Sequence, residues 1–217
     1  MTPDYICKVD GKGNVIQANR NFKPSSEIKM HMRVYEKRPD VNAVVHAHPV
    51  YGTAFAIAGI PLTAPIMPEA VIALGCVPIA EYGTPSTMEI PDAVEKYLPY
   101  YDAVLLENHG ALTYSTDLLS AYHKMESLEF YAELLYKSKM LGGPREFNEE
   151  QLEKLYEVRK KMGLPGKHPA NLCPNLKDGK VSCHNCEGIC GNMEADSDEE
   201  FVAAVTKKVM ERLEKTV

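Results

Sequence analysis

Val44-Val45-His46-Ala47-His48-Pro49 holds the most informative pattern in the chain. It closes a β-rich run over residues 41–46 with a His-x-His pair. Side chains at i and i+2 of a strand point to the same side, so both imidazoles can face one point. An apolar helical stretch follows around 53–58. A second apolar run, 103–106, has the strength of a buried strand. It passes through Glu107-Asn108-His109-Gly110 into a third run, 111–114, and the two are expected to pair across that junction. His109 therefore sits at the end of another apolar run.

Outward from these runs, residues 6–9 and 15–18 flank Gly11-Lys12-Gly13-Asn14 and predict a hairpin. Ser25 or Ser26 is positioned to cap a helix running to about residue 38, with Ile28, His31, Met32 and Tyr35 at helical spacing. Residues 76–80 form a further strand pattern, and a helix is expected over 92–98, just after Pro91. The longest helical pattern covers 118–140 and stops at Gly142-Gly143-Pro144, followed by a more charged helix over 149–162. Hairpins mixed with helices predict an α/β or α+β sheet domain over 1–163 rather than a doubly wound parallel one.

Composition excludes several classes. The 217 residues are 45% hydrophobic and 25% charged, which is incompatible with wholesale disorder and sufficient for a self-standing core. Lys plus Arg number 24 against 30 Asp plus Glu, a net charge of −6, whereas a general nucleic-acid binder needs a basic face. No apolar run reaches the roughly 18 residues of a membrane span. The opening MTPDYICKVDGKG has neither the basic flank nor the apolar stretch of a signal peptide. A cytoplasmic chain is expected, with its six cysteines reduced or metal-bound.

Three neutral imidazoles that leave a position open match the ligand logic of a catalytic divalent ion. Each of His46, His48 and His109 taken singly also has an ordinary explanation as a hydrogen-bonded core or surface residue. Pro24-Ser25-Ser26-Glu27 opens the helix ahead of the first histidine strand. Two hydroxyls and free N–H groups at a helix N-terminus suit a phosphate, and simple capping is the alternative. Glu27 is either a first-turn carboxylate favoured by the helix dipole or a general acid/base beside the metal.

Taken in order, Pro24-Ser25-Ser26-Glu27, His31-Met32, His46-Ala47-His48-Pro49 and Glu107-Asn108-His109-Gly110-Ala111 resemble the class II aldolase/adducin head family, most nearly its fuculose-phosphate aldolase branch. The resemblance covers about residues 1–140. It implies a three-layer α/β/α domain with a mostly antiparallel central sheet, assembled as a homotetramer with sites between subunits. It implies that His46, His48 and His109 bind Zn2+ or another divalent metal, that Glu27 is the catalytic acid/base, and that Ser25 and Ser26 contact the phosphate. The implied reaction is cleavage of a ketose 1-phosphate such as L-fuculose 1-phosphate to dihydroxyacetone phosphate and an aldehyde such as lactaldehyde. Sugar-phosphate 4-epimerase, methylthioribulose-phosphate dehydratase and a non-catalytic adducin-like scaffold are the alternatives within the family. The resemblance further implies an N-terminal segment, with glycine-containing phosphate loops, ahead of Met1-Thr2-Pro3-Asp4. The family's tyrosine has no counterpart near 65–69, where Met67 stands, leaving Tyr82, Tyr114 and Tyr122 as candidates.

Composition changes after Gly163. Residues 164–195 form a Cys/Pro/Gly-rich linker or a small metal module, in which Cys173, Cys183, Cys186 and Cys190 have the spacing C-x9-C-x2-C-x3-C. Four soft ligands fit a structural zinc ion or an iron–sulfur cluster, and a reduced linker is the alternative. Residues 196–217 read as an amphipathic helix with Phe201, Val205, Val209 and Leu213 every fourth position. This helix resembles the encapsulation peptides that dock cargo enzymes on bacterial microcompartment shells. A shell protein bound through 197–217, with location inside such a compartment, is what that resemblance implies.

Overall fold

The computed structural model describes residues 2–168. A 3-10 turn, Pro3–Tyr5, precedes strands β1 (Lys8–Val9) and β2 (Val15–Gln17), which pair antiparallel as a small separate sheet. Helix α1 (Ile28–Lys37), β3 (Ala43–Ala47), α2 (Val50–Ala58), α3 (Pro68–Ala73), β4 (Ile79–Ala80) and α4 (Glu89–Glu95) follow. The chain then runs through β5 (Ala103–Leu106), β6 (Gly110–Ser115), α5 (Leu118–Met140) and α6 (Glu149–Met162). The main sheet has the order β3-β6-β5-β4; β3–β6 and β6–β5 are antiparallel and β5–β4 is parallel.

Strand alternation divides the core. Ala103, Leu105 and Ala111 project to the face covered by α2, α3 and α5, where Phe55, Leu62, Leu74, Val77, Met125, Leu128 and Tyr131 are buried with them. Val104, Leu106 and Leu112 point the other way. That side carries α1 and α4, which bury Met30, Val34, Ile90 and Val94. The result is the three-layer α/β/α domain expected, with one parallel pairing in a sheet otherwise antiparallel.

Helices α5 and α6 occupy the residues that periodicity assigned, because both ends of their patterns carry local signals. Asp117 accepts from the Ser120 N–H at 2.8 Å, and Asn148 with Gln151 forms a capping box. Elsewhere the boundaries move. Neither Ser25 nor Ser26 caps α1. Glu27 stands at the cap position, and Ser25 Oγ accepts from the Glu27 N–H at 3.2 Å, closing the turn before the helix. Helix α4 begins two residues ahead of Pro91, which is tolerated because a first-turn residue has no N–H partner to lose. Residues 76–80 do not form one strand: Val77 bridges to Leu62, and only Ile79–Ala80 joins the sheet. The four C-terminal cysteines and the helix expected over 196–217 lie outside the described residues.

Residues following α6 fold back over a buried charge cluster. Arg38 forms ion pairs at 2.8 Å with Asp40 and with Asp102, whose other oxygen takes Lys124 Nζ at 2.7 Å. Gly166, at φ 96°, lets the backbone arch over Asp102; a Cβ there would stand 1.9 Å from Asp102 Oδ2. The Lys167 N–H then donates to Asp102, and the fully buried His168 donates Nε2–H to the Val71 carbonyl at 2.7 Å.

Desolvation, aided by the Arg159 charge, pushes the His168 pKa down to about 4 from an ordinary 6.5. The unfolded chain therefore binds the extra proton first as pH falls, and stability present above about pH 6.5 is lost towards pH 4. The shift corresponds to about 3 kcal/mol. His168→Gln is expected to flatten this acid limb relative to the unmodified protein in denaturant titrations between pH 4 and 7. Equal slopes for the two proteins would contradict the assignment.

Candidate metal centre

The sheet order brings the three histidines together. Strand β3 lies beside β6, with His46 opposite Leu112 and Ala47 opposite Ala111, so the C-terminal end of β3 meets the start of β6. The turn entering β6 from β5 carries His109. There the Leu106–Gly110 pair closes the ladder, Asn108 adopts φ 54°, and the His109 N–H donates to the Leu106 carbonyl at 3.0 Å. Asparagine tolerates that left-handed conformation better than most residues.

The three imidazoles form a nearly regular propeller. Ring centroids are 5.0 Å apart for His46–His48, 4.9 Å for His46–His109 and 4.9 Å for His48–His109, with interplanar angles of 73°, 70° and 68°. One ligand nitrogen from each lies within 4.8 Å of the others. His46 Nδ1 is 2.9 Å from the Ala111 carbonyl, which can only accept, so Nδ1 carries the proton and Nε2 presents its lone pair. That lone pair stands 3.2 Å from His48 Nε2. Two nitrogens on one tetrahedral zinc ion are separated by about 3.3 Å. His109 Nδ1 is buried and has no hydrogen-bond partner among the described residues. The donor set and its spacing fit a divalent cation.

Electrostatics keep the rings ready as ligands. Desolvation pushes His46 down to about 4, and His109 is likewise lowered by burial, partly opposed by the Glu27 charge. Both are therefore neutral at pH 7, the form that can bind metal. Glu27, half-buried at the start of α1, exerts its charge on His109 and on His31. Ser25 and Ser26 are exposed immediately before it.

His31 was readable as part of the sequence pattern but not as a site residue. It lies one helical turn beyond Glu27, and its pKa is lowered by burial while Glu27 opposes that shift. Of the three tyrosines, Tyr114 is fully buried, stacked under Arg38 and raised far up by desolvation. The Tyr122 hydroxyl donates to Glu126 on the exposed side of α5. Tyr82 stands beside the site's turn, its N–H donating to Glu107 at 2.8 Å.

An α/β/α domain in which three imidazoles converge beside a carboxylate has the donor set for a divalent cation with an acid/base group next to it. The chain belongs to the class II aldolase and adducin N-terminal domain family, whose model matches residues 1–136. With the histidine triad intact, it is a class II aldolase, a carbon–carbon lyase. It is 35% identical over 136 residues to an L-fuculose phosphate aldolase of Methanococcus maripaludis, covering 63% of this chain and 72% of the relative. It is 33% identical over 155 residues to a 5-deoxy-D-ribulose 1-phosphate aldolase of Bacillus thuringiensis, covering 70% of each. A solved L-fuculose 1-phosphate aldolase superposes with a TM-score of 0.66 at 33% identity, over 76% of this chain and 74% of the other. Among the described residues, no helix is long and apolar enough to cross a membrane.

Proposed function

We propose that this aldolase cleaves a ketose 1-phosphate of the L-fuculose 1-phosphate type, giving dihydroxyacetone phosphate and an aldehyde such as lactaldehyde. The observation carrying this reading is the three-imidazole propeller with the Glu27 charge beside it. Relatives named for fuculose phosphate and for 5-deoxyribulose 1-phosphate support the choice of substrate class.

In this reading His46, His48 and His109 hold a divalent ion, zinc by their nitrogen donors and spacing. When bound, such an ion supplies Lewis-acid polarisation of the ketose carbonyl and a positive charge beside the electrons released on cleavage. Breaking C3–C4 transfers one proton overall from the C4 hydroxyl, which becomes the aldehyde, to C3, which becomes the hydroxymethyl carbon. Glu27 is the acid/base at C3. Ser25 and Ser26 contact the phosphate at the N-terminus of α1, where backbone dipoles favour an anion. Ser25 Oγ already accepts from the Glu27 N–H, so its own O–H is free to donate.

Assembly belongs to the same reading. Exposed Val50 and Ile57 on α2, with Leu118, Leu119 and Phe130 on α5, support burial between copies in a homotetramer. The spacing of Phe201, Val205, Val209 and Leu213 supports docking on a microcompartment shell protein.

The test is release of dihydroxyacetone phosphate from L-fuculose 1-phosphate, read by coupled reduction to glycerol 3-phosphate. Turnover is expected to stop with a chelator and return with added zinc, and 5-deoxy-D-ribulose 1-phosphate is expected to react more slowly. No triose phosphate from either sugar with metal-loaded protein would overturn the assignment.

A further inference from the structure

We propose that Glu129, on the middle of α5, is a positioning residue that sets the aim of His48. The inference rests on the metal reading above and concerns a residue outside the ligand set.

The three ligands are not equally well held. His46 is fixed by β3–β6 ladder pairs before and after it, Val45–Thr113 and Ala47–Ala111, and by its own ring bond to the Ala111 carbonyl. His48 lies one residue beyond the end of β3, is exposed, and makes its one ring hydrogen bond to His46. Among the described residues no second group orients it, although metal-binding imidazoles usually have one. Its direction must come from the backbone on either side.

The strand side ends at the Ala47–Ala111 pair. The other side is the start of α2, only two residues on. That helix opens with Pro49 at its cap position, a residue with no side-chain acceptor for the free N–H groups of the first turn. Glu129 supplies the acceptor from a different helix. Its Oε1 takes the Tyr51 N–H at 2.9 Å and its Oε2 takes the Gly52 N–H at 2.8 Å. A carboxylate spanning two N–H groups at a helix N-terminus is held by both geometry and charge. The two helices touch closely here: a Cβ on Gly52 would meet Leu128 Cδ2 at 2.7 Å and Pro49 Cγ at 3.2 Å. Gly52 thus allows α5 near enough for Glu129 to reach. His48 hangs between a strand end and a helix start, and Glu129 pins the second of these.

The decisive measurement is metal affinity of the full chain, by competition with a chromogenic chelator for Zn2+, with the visible spectrum of bound Co2+ as a geometric readout. Glu129→Ala is expected to weaken Zn2+ binding about tenfold or more and to change the Co2+ spectrum. Glu129→Gln, which keeps one acceptor oxygen, is expected to fall between the two. Tyr131→Phe is the comparison for a general loss of α5 anchoring, since it removes the hydroxyl bond to the Ala64 carbonyl and nothing near His48. It is expected to lower the melting temperature without moving affinity or spectrum.

If Glu129→Ala does not fold, Glu129→Gln against Tyr131→Phe decides the question alone. Unchanged affinity in the Glu129 variants, or a loss no larger than in Tyr131→Phe, overturns the proposal while leaving the metal centre standing. Unmodified protein that binds no metal overturns the metal centre itself and this inference with it.

Discussion

His46→Ala is expected to abolish stoichiometric metal binding and to lower aldol cleavage by about 1,000-fold or more. Lewis-acid stabilisation by a bound cation is worth several kcal/mol, and each 1.36 kcal/mol is a factor of ten in rate. Two imidazoles cannot replace the chelate, because the remaining pair, His48 and His109, supply two donors where three hold the ion, and they are carried by different loops. The fold should survive. His46 is only half-buried, and its loss frees one carbonyl, that of Ala111, at a cost of about 1 kcal/mol or a few degrees in melting temperature. His109→Ala should behave alike, and the double variant should be no worse than either single one, since an ion already lost cannot be lost again. Added zinc should raise the melting temperature of the unmodified protein and leave that of the variant unmoved. Metal analysis, coupled turnover and melting curves on three variants make the check. Retention of one metal per chain by His46→Ala would remove these rings from the centre.

The contrast between what was and was not legible in the sequence has a physical basis. His46 and His48 were readable because the two-residue period of a strand fixes which side chains share a face. The meeting with His109 depended on β3 neighbouring β6, a long-range pairing that the residues of either strand do not encode singly. Helices α5 and α6 were readable end to end because their caps are local. Helix α3 was missed: six residues with a proline at the first position carry too little periodicity to register. Strand β4 is shorter than its apolar run because its parallel pairing is fixed by β5, through bonds such as the Glu107 N–H to the Ala80 carbonyl. Glu129 lies 78 residues beyond Tyr51, and nothing in its charged helical neighbourhood marks it as the acceptor for α2. The candidate ligands were thus visible as a local pattern, whereas the hydrogen bonds around them join distant segments.

Gly110 shows how closely those segments approach, and Gly110→Ala is expected to weaken metal binding about 100-fold. The reason is space rather than backbone freedom. A Cβ at this position would stand 2.6 Å from the Ala47 carbonyl oxygen and 2.6 Å from His48 Cδ2. The carbonyl belongs to the β3–β6 ladder and cannot swing aside, so the strands must part or the His48 ring must turn away from His46 and His109. Parting the strands costs about 1–3 kcal/mol as overpacking does elsewhere. Turning the ring costs little stability, because His48 is exposed and, among the described residues, its ring bonds only to His46, and therefore most of the penalty should fall on the metal. A displacement of about 1 Å in a ligand or reacting group already costs about 100-fold in function. Gly11→Ala is the matched comparison, since its Cβ would meet nothing within 4 Å, and it should leave affinity and turnover unchanged. Zinc competition on the two alanine variants, beside their melting curves, separates a misaimed ligand from a loosened sheet. Affinity in Gly110→Ala equal to that in Gly11→Ala would mean that the ring of His48 does not need the space that glycine leaves.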